Sequence, residues 1–226
     1  MQRLYGLYCL LLFLAMGSIT FIINLFLPGP RRRRRVASAF SRGFLFGAGI
    51  PFTVQGTELL PAVPCVVVAN HASYIDGIIA IAALPADFAF VIKKEMVRVP
   101  LAGLLLRRLG SEFVERFDRH KGASDARRVW RLAAAGQSLV FFPEGTFDEH
   151  RGIRKFLGGA FATAQRSAMP VVAAAIHGTR DVFPPGRLMM YRRPICFEIL
   201  AVLDAEGARR QSRELIARAV GETLVP

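Results

Sequence analysis

The N-terminal segment places the strongest constraint on what this chain can fold into. Leu4 to Leu27 contains no charged side chain, and Pro28-Gly29-Pro30 ends this stretch. At about 1.5 Å per residue, a helix of this length spans about 36 Å, which is enough to cross a hydrocarbon core of about 30 Å. The sequence therefore predicts a hydrophobic membrane helix over 4–27. A helix that lies in the interface or enters one leaflet is the alternative.

The charges on either side of this stretch argue against a cleaved signal peptide. Only Arg3 precedes it and Arg31 to Arg35 follow it, whereas a signal peptide carries its positive charge before the apolar region. Ala37-Ser38-Ala39 resembles a cleavage site but lies behind the arginines. Because positive flanks stay in the cytoplasm, we expect residues 31 onward on the cytoplasmic side of the cell membrane.

The net charge of +13 is compatible with nucleic acid or an anionic membrane as partner. The sequence contains no helix-turn-helix, zinc-finger or RNA-binding signature, so no nucleic acid partner is expected. Arginines beside an apolar anchor attract anionic headgroups by about 1 kcal/mol each near the surface. We therefore expect Arg31 to Arg35 to meet an anionic membrane surface, although the positive-inside rule explains the same block without lipid binding.

The rest of the chain alternates between strand-like and helix-like segments, which is typical of an α/β fold. We predict a single mixed sheet covered by helices over 51–226, and a membrane anchor over 1–50 that ends in a short second helix over 36–50. Predicted strands lie near 52–55, 63–69, 88–92, 112–114, 138–142, 171–176 and 195–202. Predicted helices lie near 74–83, 100–109, 121–135, 157–167 and 206–220. The scattered Cys9, Cys65 and Cys196 have no metal-binding spacing and are expected to be small buried apolar side chains.

The segment Asn70-His71-Ala72-Ser73-Tyr74-Ile75-Asp76 carries the clearest chemical signal. It follows an apolar run, so His71 leaves a strand end, where open α/β sheets bind ligands. On an unbroken helix His71 and Asp76 would lie about 140° apart, so they meet only if the chain bends between them. The pair therefore fits a general base and the carboxylate that orients it, and it does not fit a helical metal site.

The same residues also fit a helix cap. Ser73 as N-cap and Asp76 near the helix N-terminus form a capping box, which stabilises a helix by about 0.5–2 kcal/mol without catalysis. A cap would hold Asp76 near His71, so the two roles are compatible.

Three other segments contain candidate functional residues. In Phe141-Phe142-Pro143-Glu144-Gly145-Thr146, a Glu and a Gly follow a strand end, where backbone N–H groups can meet an anion, although Pro-Glu-Gly is also a common turn. Arg116 follows a short strand and is either a phosphate clamp or a solvated arginine. His177 has no acid five residues later, so we interpret it as a core or turn histidine.

In this order, the segments resemble the glycerolipid acyltransferase family, with the closest likeness to 1-acyl-glycerol-3-phosphate acyltransferases of the PlsC type. The resemblance covers roughly residues 52–185, and its most specific parts are the His-x4-Asp motif and Phe-Pro-Glu-Gly-Thr. Lys93-Lys94-Glu95 and Pro100-Leu101-Ala102-Gly103 resemble the family's intervening segment. The implied fold is the α/β domain of glycerol-3-phosphate acyltransferases.

The resemblance implies a role for each candidate residue. His71 would take the proton from the acceptor hydroxyl, and Asp76 would support its imidazole. Arg116 would hold the acceptor phosphate, and the substrate site as a whole would include Asn70, Ser73, Arg116, Glu144, Gly145 and Thr146. The family attacks the acyl thioester directly, so acyl-CoA or acyl carrier protein would be the co-substrate, with no metal or tightly held cofactor. The expected reaction converts lysophosphatidate to phosphatidate at a membrane.

Two departures from the family leave the acceptor headgroup open. Phe147 stands where members often have Arg after Glu-Gly-Thr, and Leu157 stands where they often have Lys; Arg154 and Lys155 are close enough in sequence to substitute. Another lyso-lipid, such as lyso-ornithine lipid, is therefore an alternative acceptor.

Two alternatives come from other functional classes. One is a non-catalytic membrane adaptor that binds anionic lipid. The other is a hydrolase or metal phosphoesterase that uses His71, Asp76 and Glu144, and it would need further clustered ligands.

Overall fold

The computed structural model describes residues 2–115 and 119–226, without the side chains of 119–121. The strands are β1 (Phe52–Gln55), β2 (Val66–Ala69), β3 (Ala89–Lys93), β4 (Glu112–Val114), β5 (Leu139–Phe141), β6 (Val171–His177) and β7 (Ile195–Leu203). The helices are α1 (Gln2–Phe26), α2 (Pro30–Gly47), α3 (Asp76–Ala83), α4 (Ala102–Arg108), α5 (Arg119–Ala134), α6 (Gly159–Arg166), α7 (Thr179–Val182) and α8 (Ala208–Val220), with short 3-10 turns at Thr57–Leu59 and Lys94–Arg98.

Within the described ranges the strands form one mixed sheet in the order β1-β7-β6-β2-β5-β3-β4. Only the β6–β7 pair is antiparallel among the pairs of this sheet. β2 lies between two parallel neighbours and is fully buried, which explains its uninterrupted run of apolar residues. The predicted mixed sheet covered by helices is confirmed, and the carboxyl ends of β5, β2 and β6 lie side by side.

Helices cover both faces of this sheet. On one face, Phe44 and Leu45 of α2 and Ile79 of α3 share a core with residues of β2, β6 and β7. On the other face, α5, α6 and α8 pack against the sheet around Phe156 and Ile216. Because α2 contributes to the main core, the predicted boundary at residue 50 divides a unit that the structure holds together.

Several element bounds differ from the predicted ones for local reasons. β2 begins at Val66 and not at 63, because Pro64 has no N–H for the ladder and the N–H of Cys65 donates to the Ser138 side chain. α3 begins at Asp76 and not at 74, because the preceding residues form a turn. The second helix begins at Pro30 and not at 36, since proline is well suited to the first turn of a helix.

The arginine block therefore lies inside α2, and most of it bonds within the protein. Arg34 is buried and donates to the carbonyls of Leu109 and Gly110, at 2.7 and 3.2 Å, and of Ala86 and Asp87. Arg31 pairs with Asp87 at 2.6 Å, and Arg33 donates to Leu27 and Arg108 carbonyls. Arg34 is therefore not available to lipid headgroups, whereas Arg31, Arg32 and Arg35 are exposed, and their contact with an anionic membrane surface stays a prediction.

α1 is long and apolar enough to cross a membrane by length and composition. In the structure it runs alongside the domain and is bonded to it near both ends. Tyr5 and Tyr8 donate to the carbonyls of Ala48 and Gly47 at 3.0 and 2.8 Å, and Arg108 donates to the Asn24 carbonyl at 2.7 Å. These contacts favour the alternative in which the helix lies in the interface or one leaflet.

The predicted burial of the cysteines holds for two of the three. Cys9 and Cys65 are buried, whereas Cys196 in β7 is partly exposed, and all three are free thiols. β7 lies next to the edge strand β1, where the sheet is less completely covered than at β2.

Candidate active site

His71 and Asp76 meet directly behind the carboxyl end of β2. The Nδ1 atom of His71 lies 2.8 Å from Oδ2 of Asp76, which is fully buried. If Nδ1–H donates to this carboxylate, Nε2 keeps its lone pair, and no partner for Nε2 is seen among the described residues. The ring side chain is 21% exposed. An imidazole held in this way by a carboxylate can act as a general base.

The backbone between the two residues explains why a five-residue spacing works. The N–H groups of Ala72 and Ser73 also donate to Oδ2 of Asp76, at 2.6 and 2.8 Å. This is the reach-back half of the predicted capping box. The other half is missing, because the Ser73 hydroxyl donates to the Phe183 carbonyl and accepts from the Ile75 N–H. The turn therefore fixes the carboxylate below the imidazole before α3 begins.

Aromatic rings fix the orientation of the imidazole. Phe142, which follows β5, stacks on His71 with ring centroids 4.6 Å apart. Phe147 packs edge-on at 4.4 Å, and Tyr74 packs against Phe147 at 4.9 Å. Phe142 and Tyr74 were not predicted to belong to the site, although both lie within its two sequence motifs. These rings limit how far the imidazole can turn.

Glu144 joins the two motifs through backbone atoms. Its Oε1 accepts from the His71 N–H at 2.7 Å, and its Oε2 accepts from the Arg154 N–H at 2.9 Å. Burial raises the pKa of Glu144 to about 7, an effect that these two hydrogen bonds oppose and the nearby Asp76 reinforces. Because both oxygens are bonded to the backbone, Glu144 acts as a positioning residue for His71.

Asn70 and Ser73 were predicted to bind substrate, but their side chains bond to distant backbone. The amide of Asn70 donates to the Ile176 carbonyl at 3.0 Å and accepts from the Ile176 N–H at 2.7 Å. The Ser73 hydroxyl donates to the Phe183 carbonyl at 2.7 Å. Both residues are buried, and their hydrogen bonds join the end of β2 to β6 and to the segment after α7.

Gly145 and Thr146, which were also predicted to bind substrate, directly follow Glu144 in the chain. Gly145 adopts a positive φ of 80°, which favours glycine, and Thr146 next to it is exposed. Arg116 lies outside the described residues. The Arg154 side chain pairs with Asp148, and Lys155 is exposed.

The described residues contain no group of three or more His, Cys, Asp or Glu side chains that could hold a metal ion. The alternative of a metal phosphoesterase requires such a group. The site formed by His71, Asp76 and Glu144 is instead joined by hydrogen bonds to ring and backbone nitrogens.

Comparison with known proteins gives the family of the chain. A sequence model of the Acyltransferase family matches residues 51–177. The lyso-ornithine lipid O-acyltransferase of Pseudomonas aeruginosa is 35% identical over 204 residues, which cover 79% of this chain and 76% of that protein. The chloroplastic 1-acyl-sn-glycerol-3-phosphate acyltransferase of Brassica napus is 29% identical over 196 residues, and the match covers 82% of this chain but only 56% of that relative.

The fold is also that of a solved structure. The crystal structure of the 1-acyl-sn-glycerophosphate acyltransferase PlsC from Thermotoga maritima superposes with a TM-score of 0.80 at 22% identity, covering 98% of this chain and 97% of that one. The class defined by the fold and the site is an α/β protein with a histidine–aspartate pair at a strand end. The chain belongs to the acyltransferase family, and its resemblance to the PlsC-like glycerolipid acyltransferases is confirmed.

Proposed function

We propose that the protein transfers an acyl group from a thioester to the free hydroxyl of a lyso-lipid. The first candidate acceptor is 1-acyl-sn-glycerol-3-phosphate, which would give phosphatidate. The observation that carries this proposal is the His71–Asp76 pair, whose 2.8 Å contact leaves Nε2 as a proton acceptor at the carboxyl edge of the sheet. The matching family model supports the reaction class.

The reaction needs a base because a hydroxyl is a poor nucleophile until its proton leaves. Nε2 of His71 removes this proton as the hydroxyl oxygen attacks the thioester carbon. The carbon–sulfur bond then breaks, and the departing thiolate takes the proton back from the imidazolium. Asp76, which is buried and held by two backbone N–H groups, stabilises the positive charge that forms on the ring. No acyl-enzyme forms in this sequence of steps.

The acyl donor in this proposal is acyl-CoA or acyl carrier protein, used as a co-substrate, and the chain's own residues supply the base without a cofactor. Both donors are anionic, and the net charge of +13 favours their approach. The names of the relatives do not state the acyl donor, so the donor and the direct attack on its thioester are part of what we propose.

The membrane supplies the acceptor in this proposal. α1 carries an apolar surface that is mostly exposed in the structure, which suits a helix in contact with lipid. We infer that the catalytic domain lies on the cytoplasmic side, where the thioester donors are. The arginine-rich segment after α1 supports this orientation through the positive-inside rule.

A second acceptor, lyso-ornithine lipid, is favoured by Phe147. Its ring packs against His71, so an aromatic side chain lies beside the base at the position where related proteins often have an arginine. A relative from Pseudomonas aeruginosa is named for this acceptor, and the match covers 79% of this chain and 76% of that protein. An acceptor without a phosphomonoester has no need of a guanidinium there.

A two-acceptor assay tests the proposal. We expect purified full-length protein with acyl-CoA or acyl carrier protein to acylate lysophosphatidate, lyso-ornithine lipid or both, as measured by mass spectrometry of the products. Phe147→Arg should raise the ratio of kcat/KM for the phosphate acceptor over the other by about tenfold, because a charge-assisted hydrogen bond becomes available.

Two results would contradict the proposed acyl transfer and support another function. Absence of product with every donor and acceptor pair, together with vesicle binding unchanged by His71→Ala, would support the non-catalytic adaptor instead. Activity that is abolished by a chelator would support a metal-dependent enzyme.

A further inference from the structure

The segment after α7, residues 183–193, connects the active site to α1 and has no part in the chemistry described above. We propose that its outer part, residues 187–193, inserts beside α1 into an anionic bilayer surface and guides the acyl tail of the acceptor toward His71. We call residues 187–193 the membrane tip. The guiding role rests on the proposed function, because it requires a lipid acceptor.

The apolar side chains of the membrane tip are directed outward by a fixed backbone. Leu188 is 89% exposed and Met189 is 39% exposed, whereas Met190 packs against the main core. The Tyr191 N–H donates to the Val182 carbonyl at 2.8 Å, which closes the segment onto α7. A leucine held in water in this way indicates a binding surface when other exposed apolar side chains adjoin it.

The membrane tip continues the apolar surface of α1. Met189 lies against Gly6, where an added Cβ atom would come within 2.6 Å of the Met189 sulfur. Leu4 and Leu7, on either side of this contact along α1, are exposed by 72% and 48%. Because the two surfaces touch, a bilayer that accepts the N-terminal half of α1 also meets Leu188.

The charges around the membrane tip indicate that the membrane surface it contacts is anionic. Arg187, Arg192 and Arg193 flank the apolar residues and are exposed. The Nε of Arg192 donates to the Gly49 carbonyl at 2.7 Å, which holds this arginine near the end of α2. Exposed arginines on both sides of an apolar insertion point attract anionic headgroups.

An aromatic path leads to the base from the start of the same segment, four residues before the membrane tip. Phe183, at the start of the segment, contacts Tyr74 with ring centroids 5.7 Å apart. Tyr74 contacts Phe147 at 4.9 Å, and Phe147 contacts His71 at 4.4 Å. These rings offer an acyl tail apolar contacts from Phe183 as far as the imidazole.

Depth-dependent fluorescence quenching tests the insertion without relying on activity. The full chain contains a single tryptophan, so Trp130→Phe provides a silent background for Leu188→Trp and for the control Val63→Trp. Val63 is also an exposed apolar residue, at 59%, but it lies before β2, at the sheet edge opposite His71. In equimolar phosphatidylglycerol–phosphatidylcholine vesicles with brominated chains, we expect quenching at position 188 and none at 63. Equal quenching at both positions, or none at either, overturns the proposal.

A kinetic comparison tests the guiding role. Leu188→Asp should raise KM for a vesicle-embedded lyso-lipid by about tenfold, because the inserted leucine is lost. Its kcat/KM for a short-chain, water-soluble acceptor should stay within about twofold of wild type, and Val63→Asp should change neither value. An equal loss on both acceptors, or no loss on either, contradicts the guiding role. Failure of the wild-type protein to acylate any acceptor would refute the proposed function and leave the quenching result to decide on insertion.

Discussion

Two histidines lie at the carboxyl ends of the neighbouring strands β2 and β6, and each contacts a carboxylate. His71 is 2.8 Å from Asp76, and His177 is 3.0 Å from Glu198 on β7. The surroundings of the two pairs differ far more than these distances do. Asp76 is fully buried and accepts two further hydrogen bonds from backbone, whereas the Glu198 and His177 side chains are about one-third exposed.

The distance between a histidine and a carboxylate therefore does not by itself identify a catalytic base. Solvent screens an exposed pair and leaves its geometry free to change, so such a pair contributes little. At the His71 site, the turn holds the carboxylate and Phe142 and Phe147 hold the ring, so little reorganisation is needed during reaction. Substitutions at the two sites should therefore differ widely in their effect on acyl transfer.

His71→Ala should have the largest effect, because it removes the proton acceptor itself. We expect kcat for acyl transfer to fall by about 10³-fold, as measured in steady-state assays with saturating donor. The thermal unfolding midpoint should change little, since Asp76 keeps its two backbone donors. Retention of full activity would show that another group takes the proton.

Asp76→Asn should lower kcat by about 10²-fold while changing KM little, because the charge that stabilises the imidazolium is lost while its volume is kept. Steady-state assays over a range of acceptor concentrations measure kcat and KM separately. A rise in KM with an unchanged kcat would assign Asp76 to substrate binding and not to the support of His71.

Glu144→Gln should lower kcat by about tenfold, since the amide can accept only one of the two backbone N–H bonds that position His71. It should also remove a pH dependence of stability. Burial keeps the folded Glu144 protonated up to a pKa of about 7, against an ordinary value of 4.5. The unfolded chain therefore binds fewer protons between these values, and the stabilisation contributed by this carboxyl falls as pH rises through the window.

Chemical denaturation at several pH values measures this effect. The free energy of unfolding of the wild type relative to Glu144→Gln should decrease between pH about 4.5 and about 7 and then level off. A difference that does not vary with pH would contradict the protonated state of the buried carboxyl.

His177→Ala should have the smallest effect on activity, within about twofold of wild type, because its exposed partner neither anchors it nor excludes water. The same steady-state assay as for His71→Ala provides a direct comparison. A similar loss of activity in His177→Ala and His71→Ala would contradict this difference between the two sites. It would indicate that His177, at the end of β6, also takes part in catalysis.

The parts of the fold and the site that could be predicted from the sequence are those encoded by short segments. The apolar run before His71 predicts a buried central strand, and the motif predicts the bend that brings Asp76 back. The hydrogen bonds of the Asn70 and Ser73 side chains could not be predicted, because their partners Ile176 and Phe183 are more than 100 residues away in sequence. No local pattern indicates which carbonyl a side chain will meet across the sheet.

The arginine block shows the same limit. Pro28-Gly29-Pro30 correctly marks the end of the first helix, but Pro30 also begins the second one. A run of like charges indicates solvent or lipid contact, and only the tertiary structure shows that Arg34 is buried against four carbonyls. The antiparallel placement of β7 is likewise non-local, since it depends on pairing with β6 and not on its own residues.

The buried guanidinium of Arg34 has a practical consequence for expression. A shortened gene that starts after residue 50 would strip the donors from the carbonyls of Leu109 and Gly110 and would uncover the core around Phe44. Unsatisfied buried acceptors and a newly exposed apolar face both promote aggregation. A shortened chain should therefore keep α2 whole, and removal of α1 alone also takes Phe13 away from the rings of Phe40 and Phe44.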